Sequence, residues 1–459
     1  MLRLQGVQVE SLWDEVLPIE VRQLPADLAQ IDEALGDLRL LEPIVRLWRE
    51  TTPAGLVDGR PTIPMSMYVR LMVLKHRHGW GYETLMREVS DSFHLRRFCG
   101  IPIDQKVPDE STPRKMTRRL GAETVAQISR NLIAKAERET RFRARAVRID
   151  STVVEADVRY PNDAQLAGDA ARILARESRK LARVAKTARG RVQDRSGSVR
   201  RALREINRSI TRRVGGAKEQ VLELTGHAGQ LLERSLREAR RLASSVRRSA
   251  RGRGARAKQV AAGRFEELIE RAEKVARQIT QRLAGERIVD RLVSMSDPDA
   301  RPIRKGKLRN PTEFGYVKQI VEITPNTRRG ARGFVLPPAS MTGNPGENEL
   351  LDQTVEQLQS LGVNIREVAV DGGFGHLKTI EQLAPLKPDR VYIAGRANDW
   401  SKRTSRRLYR YRVGAEGRIS HVKRSYGLDR SRLKGQEGSD ISAGWGTLTY
   451  NLDTYRQYA

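Results

Sequence analysis

The sequence has little of what builds disulfides, cysteine-based metal sites and membrane anchors. Cys99 is the only cysteine among its 459 residues, so a disulfide or a thiolate zinc site within one chain is excluded. No apolar run reaches the roughly eighteen residues of a membrane-spanning helix. Aromatic residues make up only 5% of the chain, whereas amphipathic membrane anchors usually carry several. The six histidines are scattered, and only His76 and His78 are close enough in sequence to suggest a metal site.

Acidic residues are also scarce relative to basic ones. The chain has 85 lysines and arginines against 56 aspartates and glutamates, which gives a formal charge of +29. So cationic a surface attracts polyanions, and without a membrane anchor the expected polyanion is nucleic acid. Residues 1–20 carry acids where a signal peptide has cations and an apolar core, so the expected compartment is the cytoplasm.

The first third of the chain is predicted to be helical. Residues 26–60 alternate apolar and acidic positions at helical spacing, which predicts a packing or oligomerisation region over residues 1–60. Short helices are predicted over residues 61–140. The last of these begins in "DESTPRKMTRRLG", with Thr112 as N-cap, Pro113 in the first turn and Gly121 as terminator.

Compact short helices that end in a basic helix suggest a helix-turn-helix type of DNA-binding domain. The alternative is an ordinary helical domain without a DNA-binding role. The candidate DNA contacts on the basic helix are Arg114, Lys115, Arg118 and Arg119.

A strongly basic segment occupies residues 166–290. Its part from 171 to 290 has no proline, and Phe265 is its only aromatic residue. Alanine, leucine, arginine and glutamate dominate, which predicts long helices in an extended hairpin or bundle. Candidate breaks lie at residues 196–198, 215–216 and 252–254. With so few large apolar side chains, we expect this segment to be unable to build a large core of its own.

Two acidic residues lie in or directly after predicted strands. The stretch 143–158 is rich in β-branched residues and contains Asp150, and the stretch 365–373 leads through "VAVD" to Asp371 and two glycines. After Pro298, strands and helices alternate, which predicts an α/β region. Because sites in open α/β sheets form at strand ends, both aspartates are candidate ligands. The glycines after Asp371 match no phosphate-loop or dinucleotide fingerprint.

A third acid, Glu416, lies in a predicted basic helix with two distinct faces. An apolar arc predicts packing on the sheet, and beside it runs a polar arc. The apolar arc contains Ala415, Ile419, Val422 and Tyr426, and the polar arc contains Tyr409, Arg412, Glu416 and Lys423. Gly414 and Gly417 weaken the helix, which indicates that something large approaches it closely.

The spacing of Tyr409, Arg412, Glu416 and Lys423 matches Y-(2)-R-(3)-E-(6)-K. It resembles the signature of DDE transposases from bacterial insertion sequences. The segments "IDSTVVEADVRYP", "AVDGGF", "RSYGLDRSRLKG" and "PDESTPRKMTRRLG" resemble further parts of that family. The resemblance implies a mixed α/β protein. Its RNase H-like catalytic domain (141–165 and 291–459) would be interrupted by the basic helical insertion 166–290 and preceded by an all-α N-terminal DNA-binding domain.

The resemblance also implies the chemistry of the site. Asp150, Asp371 and Glu416 would form a triad that binds two Mg²⁺ ions, with Mn²⁺ able to substitute, because hard cations favour carboxylate oxygens. Arg412 and Lys423 would hold DNA phosphate, with Tyr409 nearby. The expected partners are double-stranded DNA, at the terminal inverted repeats and the target, and a second or further copies of the chain. The expected setting is the bacterial nucleoid.

One feature departs from the family, since the insertion follows the first-aspartate strand, whereas better-known relatives with this signature carry theirs before the glutamate helix. Two other functions stay open at this point. One is a catalytically inactive, transposase-derived DNA-binding protein. The other is a structural organiser of nucleic acid in which the basic segment does the binding.

Overall fold

The computed structural model divides the chain into two compact units. Unit 1 comprises residues 1–157 and 316–459, and unit 2 comprises residues 158–315. The predicted domain boundaries differ from this division and stay a prediction. The described residues are 1–6, 16–185, 190–212 (without the side chains of 210–212), 216–252, 254–304 and 311–459.

The N-terminal part of unit 1 is helical, as predicted. Leu28, Ile31 and Leu35 recur at helical spacing and are buried in the core of the unit. Short 3₁₀ turns cover Leu38–Leu41 and Pro53–Leu56. The helices are α1 (Ile19–Arg22), α2 (Ala26–Leu35), α3 (Glu42–Thr51), α4 (Met65–His78), α5 (Tyr82–Asp91), α6 (Phe93–Phe98) and α7 (Ser111–Glu139). Residues 7–15, part of the N-terminal stretch that is not expected to be a signal peptide, lie outside the described residues.

Helix α7 begins earlier than predicted and is interrupted at the predicted terminator. It begins at Ser111, one residue before the predicted N-cap Thr112, and Asp109 Oδ1 accepts a hydrogen bond from the Ser111 N–H at 2.9 Å. At Gly121, the predicted terminator, one helical segment stops and a second one begins across a kink. Gly121 has φ 69° and ψ 178°, so it interrupts the regular geometry while the chain continues helically to Glu139. Glycine adopts this backbone conformation without steric strain, so a second helical segment can follow the first directly.

The sheet of unit 1 is mixed. Its strands are β1 (Ala146–Ala156), β3 (Thr312–Thr324), β4 (Phe334–Val335), β5 (Ala339–Ser340), β6 (Glu367–Val370), β7 (Arg390–Ile393) and β8 (Arg430–Ser431), and β2 (Arg301–Arg304) belongs to unit 2. The strand order is β3-β1-β6-β7, with β1, β6 and β7 parallel, and three short strands add to it. Strands β4 and β5 pair antiparallel with β3, and β8 pairs parallel with β1. The predicted strands around Asp150 and before Asp371 are therefore confirmed.

The C-terminal helix is deeply buried. It is the last of helices α12 (Leu351–Ser360), α13 (His376–Leu383), α14 (Lys402–Tyr426) and α15 (Gly435–Tyr458). Trp445, Leu448 and Leu452 of α15 are almost fully buried. The Trp445 ring meets the ring of Tyr68 on α4 edge to face, with centroids 5.6 Å apart. Helix α15 therefore joins the N-terminal helices and the sheet in one hydrophobic core.

The described residues of unit 2 lie mainly in four long helices: α8 (Asp163–Val184), α9 (Ser196–Arg212), α10 (Ala217–Ser249) and α11 (Ala255–Leu283). The predicted breaks lie at or between their ends, although Gly215 and Arg253 are outside the described residues. The strand β2 pairs antiparallel with the first residues of β3, Thr312–Gly315.

The expectation that the basic segment cannot build a core of its own is wrong. Its helices bury a continuous cluster that includes Leu174, Leu236, Leu242, Phe265 and Ile279. Alanines fill much of the remaining contact surface, and their small side chains allow the helices to approach closely. The core of unit 2 is therefore formed mainly by aliphatic side chains of the four helices.

No helix in the described part of the chain is long and apolar enough to cross a membrane.

Candidate active site

The two aspartates are brought together by the register of β1 and β6. Ile149 pairs with Val370 in a parallel ladder, so Asp150 and Asp371 are the next residues on neighbouring strands. Asp150 lies within β1, which continues to Ala156 and pairs with β8 at its end. Asp371 follows β6 directly and opens the glycine-rich turn. Residues at matching positions of parallel strands face the same side, which brings the two carboxylates to one place.

Glu416 reaches the same place from helix α14. The helix is capped by Ser401, whose side chain accepts a hydrogen bond from the Thr404 N–H, and it ends at Gly427 with φ 74°. Its predicted apolar face is confirmed, since Ala415, Val422 and Tyr426 are buried. This anchoring turns the neighbouring polar face toward the strand ends.

Arg412 connects the three acids. Its Nη2 lies 2.7 Å from Asp371 Oδ1 and 3.9 Å from Asp150 Oδ2. Its Nη1 donates a hydrogen bond to Glu416 Oε1 at 3.1 Å. The guanidinium thus occupies the space between the carboxylates, and its own side chain is only 12% exposed. Four residues predicted from separate parts of the sequence meet in one ionic cluster.

Burial raises the pKa of Asp150 above its usual value. Arg412 and a hydrogen bond from the Ser151 N–H oppose this effect, and the charges of Asp371 and Glu416 add to it. The three acids therefore repel one another when charged, and a cation between them relieves the repulsion. In this structure that cation is Arg412.

A fourth carboxylate, Glu347, was not predicted. Its Oε2 accepts a hydrogen bond from Ser151 Oγ, the residue next to Asp150. Burial raises the pKa of Glu347, and the charges of Asp150 and Asp371 raise it further. It lies on a 3₁₀ turn, Glu347–Glu349. In the sequence this stretch only suggests the start of a helix, so no local pattern indicates that Glu347 belongs to the site.

The donor set fits a hard divalent cation in chemistry, since its members are carboxylates. In the arrangement seen here, no three acidic, histidine or cysteine side chains of the described residues are placed to hold one metal ion together. Arg412 lies where the carboxylates converge. A metal ion could bind all three acids only after this side chain turned away.

Tyr409 and Lys423 lie on the same face of α14. The Tyr409 side chain is exposed, at 52%. The Lys423 ammonium donates to the backbone carbonyl oxygen of Val153 on β1 at 2.7 Å. Lys423 therefore ties α14 to the strand that carries Asp150.

A close contact explains why helix α14 has a glycine at position 414. A Cβ at this position would lie 2.0 Å from Arg148 Nη1. Arg148 forms a buried ion network with Glu322 and Arg418, in which its Nε donates to Glu322 Oε2 at 2.7 Å. The large group that approaches Gly414 is thus a protein side chain. Gly417 has no such neighbour within 4 Å.

The predicted DNA-contacting residues of α7 point in different directions. Arg114 and Arg118 line a cavity of about 710 Å³, whereas Arg119 stacks on the Trp48 ring at 4.0 Å. Lys115 is exposed. Lys75, Arg424, Arg430 and Arg432 also line this cavity. These four cations were not predicted as partners of α7, because they come from distant segments of the chain.

Two family models match the chain. A transposase domain model (DUF772) matches residues 20–119, and a transposase DDE domain model matches residues 299–452. The chain belongs to the insertion-sequence DDE transposases. Comparison with curated proteins and with solved structures gave no match.

The two matches cover different parts of the candidate site. Asp371 and the polar face of α14 lie in the DDE match, and the basic residues of α7 lie in the other. Asp150 and most of unit 2 lie between the matched segments. For Asp150, the register with β6 is therefore the main support.

Proposed function

We propose that this transposase cleaves DNA strands at the ends of an insertion element and joins the freed 3′-hydroxyls to target DNA. The observation that carries the proposal is the convergence of Asp150, Asp371 and Glu416 on Arg412. Three carboxylates from two strands and a helix have no evident structural reason to share one guanidinium. A site that must hold cations and phosphate does require such charges.

Asp150, Asp371 and Glu416 would hold divalent cations, with Mg²⁺ the natural ion and Mn²⁺ able to replace it. When bound, such cations stabilise the attacking and leaving oxygens of a phosphodiester exchange. Within the chain itself, Arg412 keeps the carboxylates together before DNA arrives. Once released from them, its planar guanidinium is suited to two hydrogen bonds with a phosphate. Ser151 would hold Asp150 in place, since its N–H donates to Asp150 Oδ1 and its hydroxyl donates to Glu347 Oε2.

The catalytic domain is proposed to be RNase H-like. The support is a mixed sheet in which the strand of Asp150 is central and runs parallel to the strand that ends before Asp371. Double-stranded DNA is the proposed partner of the basic cavity lined by Arg114 and Arg118, and of the cationic helices of unit 2. Assembly of two or more copies on DNA completes the proposal.

The test is a strand-cleavage assay with and without Mg²⁺, on DNA that contains the ends of the element. Asp371→Asn and Glu416→Gln are each expected to abolish cleavage, because each removes a charge of the site without adding bulk. DNA affinity measured in EDTA is expected to stay within a few-fold of wild type. Cleavage by either variant at a rate close to wild type would remove that residue from the site.

A second candidate function is supported by Arg412 itself. Because its guanidinium already pairs with the carboxylates, the same cluster suits a DNA-binding protein without catalysis. That candidate predicts DNA binding without metal-dependent cleavage in the wild-type chain. The same assay therefore separates the two functions.

A further inference from the structure

A cationic cavity lies on the side of helix α14 that is opposite to the cluster of Asp150, Asp371 and Glu416. A cavity of about 460 Å³ is formed there by α14 and the loop between β3 and β4. No aspartate or glutamate is among the described residues that line it. We call it the arginine cleft, and its arginines are Arg148, Arg328, Arg329, Arg332, Arg410 and Arg418.

The floor of the arginine cleft is a buried ion network in which both oxygens of the single carboxylate accept hydrogen bonds. Glu322 is fully buried, and its Oε2 accepts from Arg148 at 2.7 Å. Its Oε1 accepts from Arg418 Nε at 2.9 Å and from the Gly333 N–H at 3.0 Å. Both carboxylate oxygens are thus used, and two guanidinium groups share one negative charge. The floor keeps a net positive charge that is shielded little by solvent.

The rim adds four exposed positive charges. Within the described residues, Arg328, Arg329, Arg332 and Arg410 make no ion pair with any carboxylate. The effect of the local charge is visible at His421, which also lines the cleft. Burial lowers the pKa of His421, and Arg418, Arg332 and Arg424 lower it further. Cations gathered without acids around a concave surface favour an anionic ligand.

The arginine cleft cannot share a phosphate with the acidic cluster. Arg410 and Arg412 are two residues apart, so they project about 200° from each other around the helix. Arg410, Gly414, Gly417 and His421 form the stripe on the cleft side. A phosphate held there is separated from the carboxylates by the width of a helix, about 10 Å. If the ligand is a nucleic acid, a phosphate in the arginine cleft therefore belongs to a different position of the strand than a phosphate at the acidic cluster.

The surface between the two sites is open. Tyr409 and Val413, on the outer face of α14, are 52% and 38% exposed. Gly417 has nothing within 4 Å of the position of a Cβ, so the missing side chain leaves the cleft mouth clear. A residue that costs a helix about 1 kcal/mol without a packing reason suits a surface that a ligand must approach.

We propose that the arginine cleft binds backbone phosphates of double-stranded DNA at a position away from the bond that is cut. The choice of DNA as the polyanion rests on the proposed function. Arginine guanidinium groups bind phosphate oxygens in pairs of hydrogen bonds, and such contacts position a duplex without reading its bases. The duplex crosses the outer face of α14 and touches both sides of the helix.

The experiment measures binding of a fluorescent random-sequence duplex by anisotropy in EDTA, at several salt concentrations. One variant combines Arg328→Gln, Arg329→Gln and Arg332→Gln. Its matched control removes three exposed arginines elsewhere in unit 1, with Arg46→Gln, Arg49→Gln and Arg60→Gln. Both variants lose the same charge, and thermal unfolding checks that both are folded.

The rim variant is expected to lower the slope of log affinity against log salt by about 2 to 3, since each lost phosphate contact contributes about 0.9. Its affinity near physiological salt is expected to fall about tenfold or more, and the control is expected to change much less. Gly417→Glu is expected to weaken binding more than Gly417→Gln, because the two side chains are similar in size and differ in charge.

Equal effects of the rim variant and its control would overturn the proposal, since bulk charge would then explain them. It would also be overturned if the rim variant kept DNA affinity but lost competition by polyglutamate, which would indicate an acidic protein segment as ligand. A wild-type chain that bound no duplex at all would defeat the proposed function as well. Because no cleavage is measured, loss of catalysis cannot imitate either result.

Discussion

Lys75 offers a sharp test of the energetics of the basic cavity. Burial, followed by the charge of Arg432, lowers the pKa of Lys75 from an ordinary 10.5 to about 8. The ammonium lies over the ring of Tyr82, 5.1 Å from its centroid. It makes no ion pair within the described residues. We expect Lys75→Met to stabilise the fold at neutral pH, since methionine keeps an unbranched apolar stem and removes the buried charge.

The magnitude follows from the pKa. The difference between the ordinary pKa of 10.5 and a pKa of about 8 corresponds to a cost of about 3 kcal/mol for holding the charged form in the fold. Loss of the cation–π contact with Tyr82 returns about 1 kcal/mol, which leaves a gain of about 2 kcal/mol at pH 7. The folded-state pKa is below the unfolded value, so the unfolded chain binds more protons between about pH 8 and 10.5. Wild-type stability therefore rises relative to Lys75→Met through that window, and the advantage of the variant shrinks.

The assay is urea unfolding at pH 7 and at intervals up to about pH 9.5, within the titration window. Lys378→Met, at an exposed position of α13, is the matched control and is expected to change stability little at any pH. A Lys75→Met variant whose stability difference from wild type stays constant across this range would refute the assignment of a depressed pKa. So would a variant that is less stable than wild type at pH 7.

Three further predictions concern other parts of the chain. Glu322→Gln is expected to lower the free energy of unfolding by about 3 to 5 kcal/mol, because it leaves two buried guanidinium groups without a charge partner. The control is Glu356→Gln, on an exposed face. Equally small effects of the two variants would contradict the prediction. Glu347→Gln is expected to reduce strand cleavage by about 10- to 100-fold with DNA affinity unchanged, and an unaltered rate would exclude Glu347 from the site. Replacement of residues 163–290 by a flexible linker is expected to leave unit 1 with a cooperative unfolding transition. The DNA affinity of this variant is expected to depend less on salt. Wild-type affinity in the variant would show that the helices of unit 2 do not contact DNA.

Much of the local structure could be predicted from the sequence. The strand around Asp150 and the long basic helices follow from the composition of one segment, and the apolar face of α14 follows from its helical periodicity. The three acids and Arg412 could be named because their types and spacing resemble a family signature. The break at Gly121 could be predicted because glycine adopts a positive φ without strain, whereas the second helical segment that continues to Glu139 was not predicted.

The sequence by itself determined the cationic character, the helical and strand segments, and the residue types available for the site. Only the tertiary structure decided which of them meet. Arg412 lies among the acids, Glu347 joins them and Arg148 reaches Gly414 because strand register and helix docking bring distant segments together. The core of unit 2 was missed for the same reason, since close packing of alanine, leucine and valine stripes depends on how four helices align. Contacts between segments far apart in the chain leave no periodic trace in any one of them, and those contacts form both the acidic cluster and the arginine cleft.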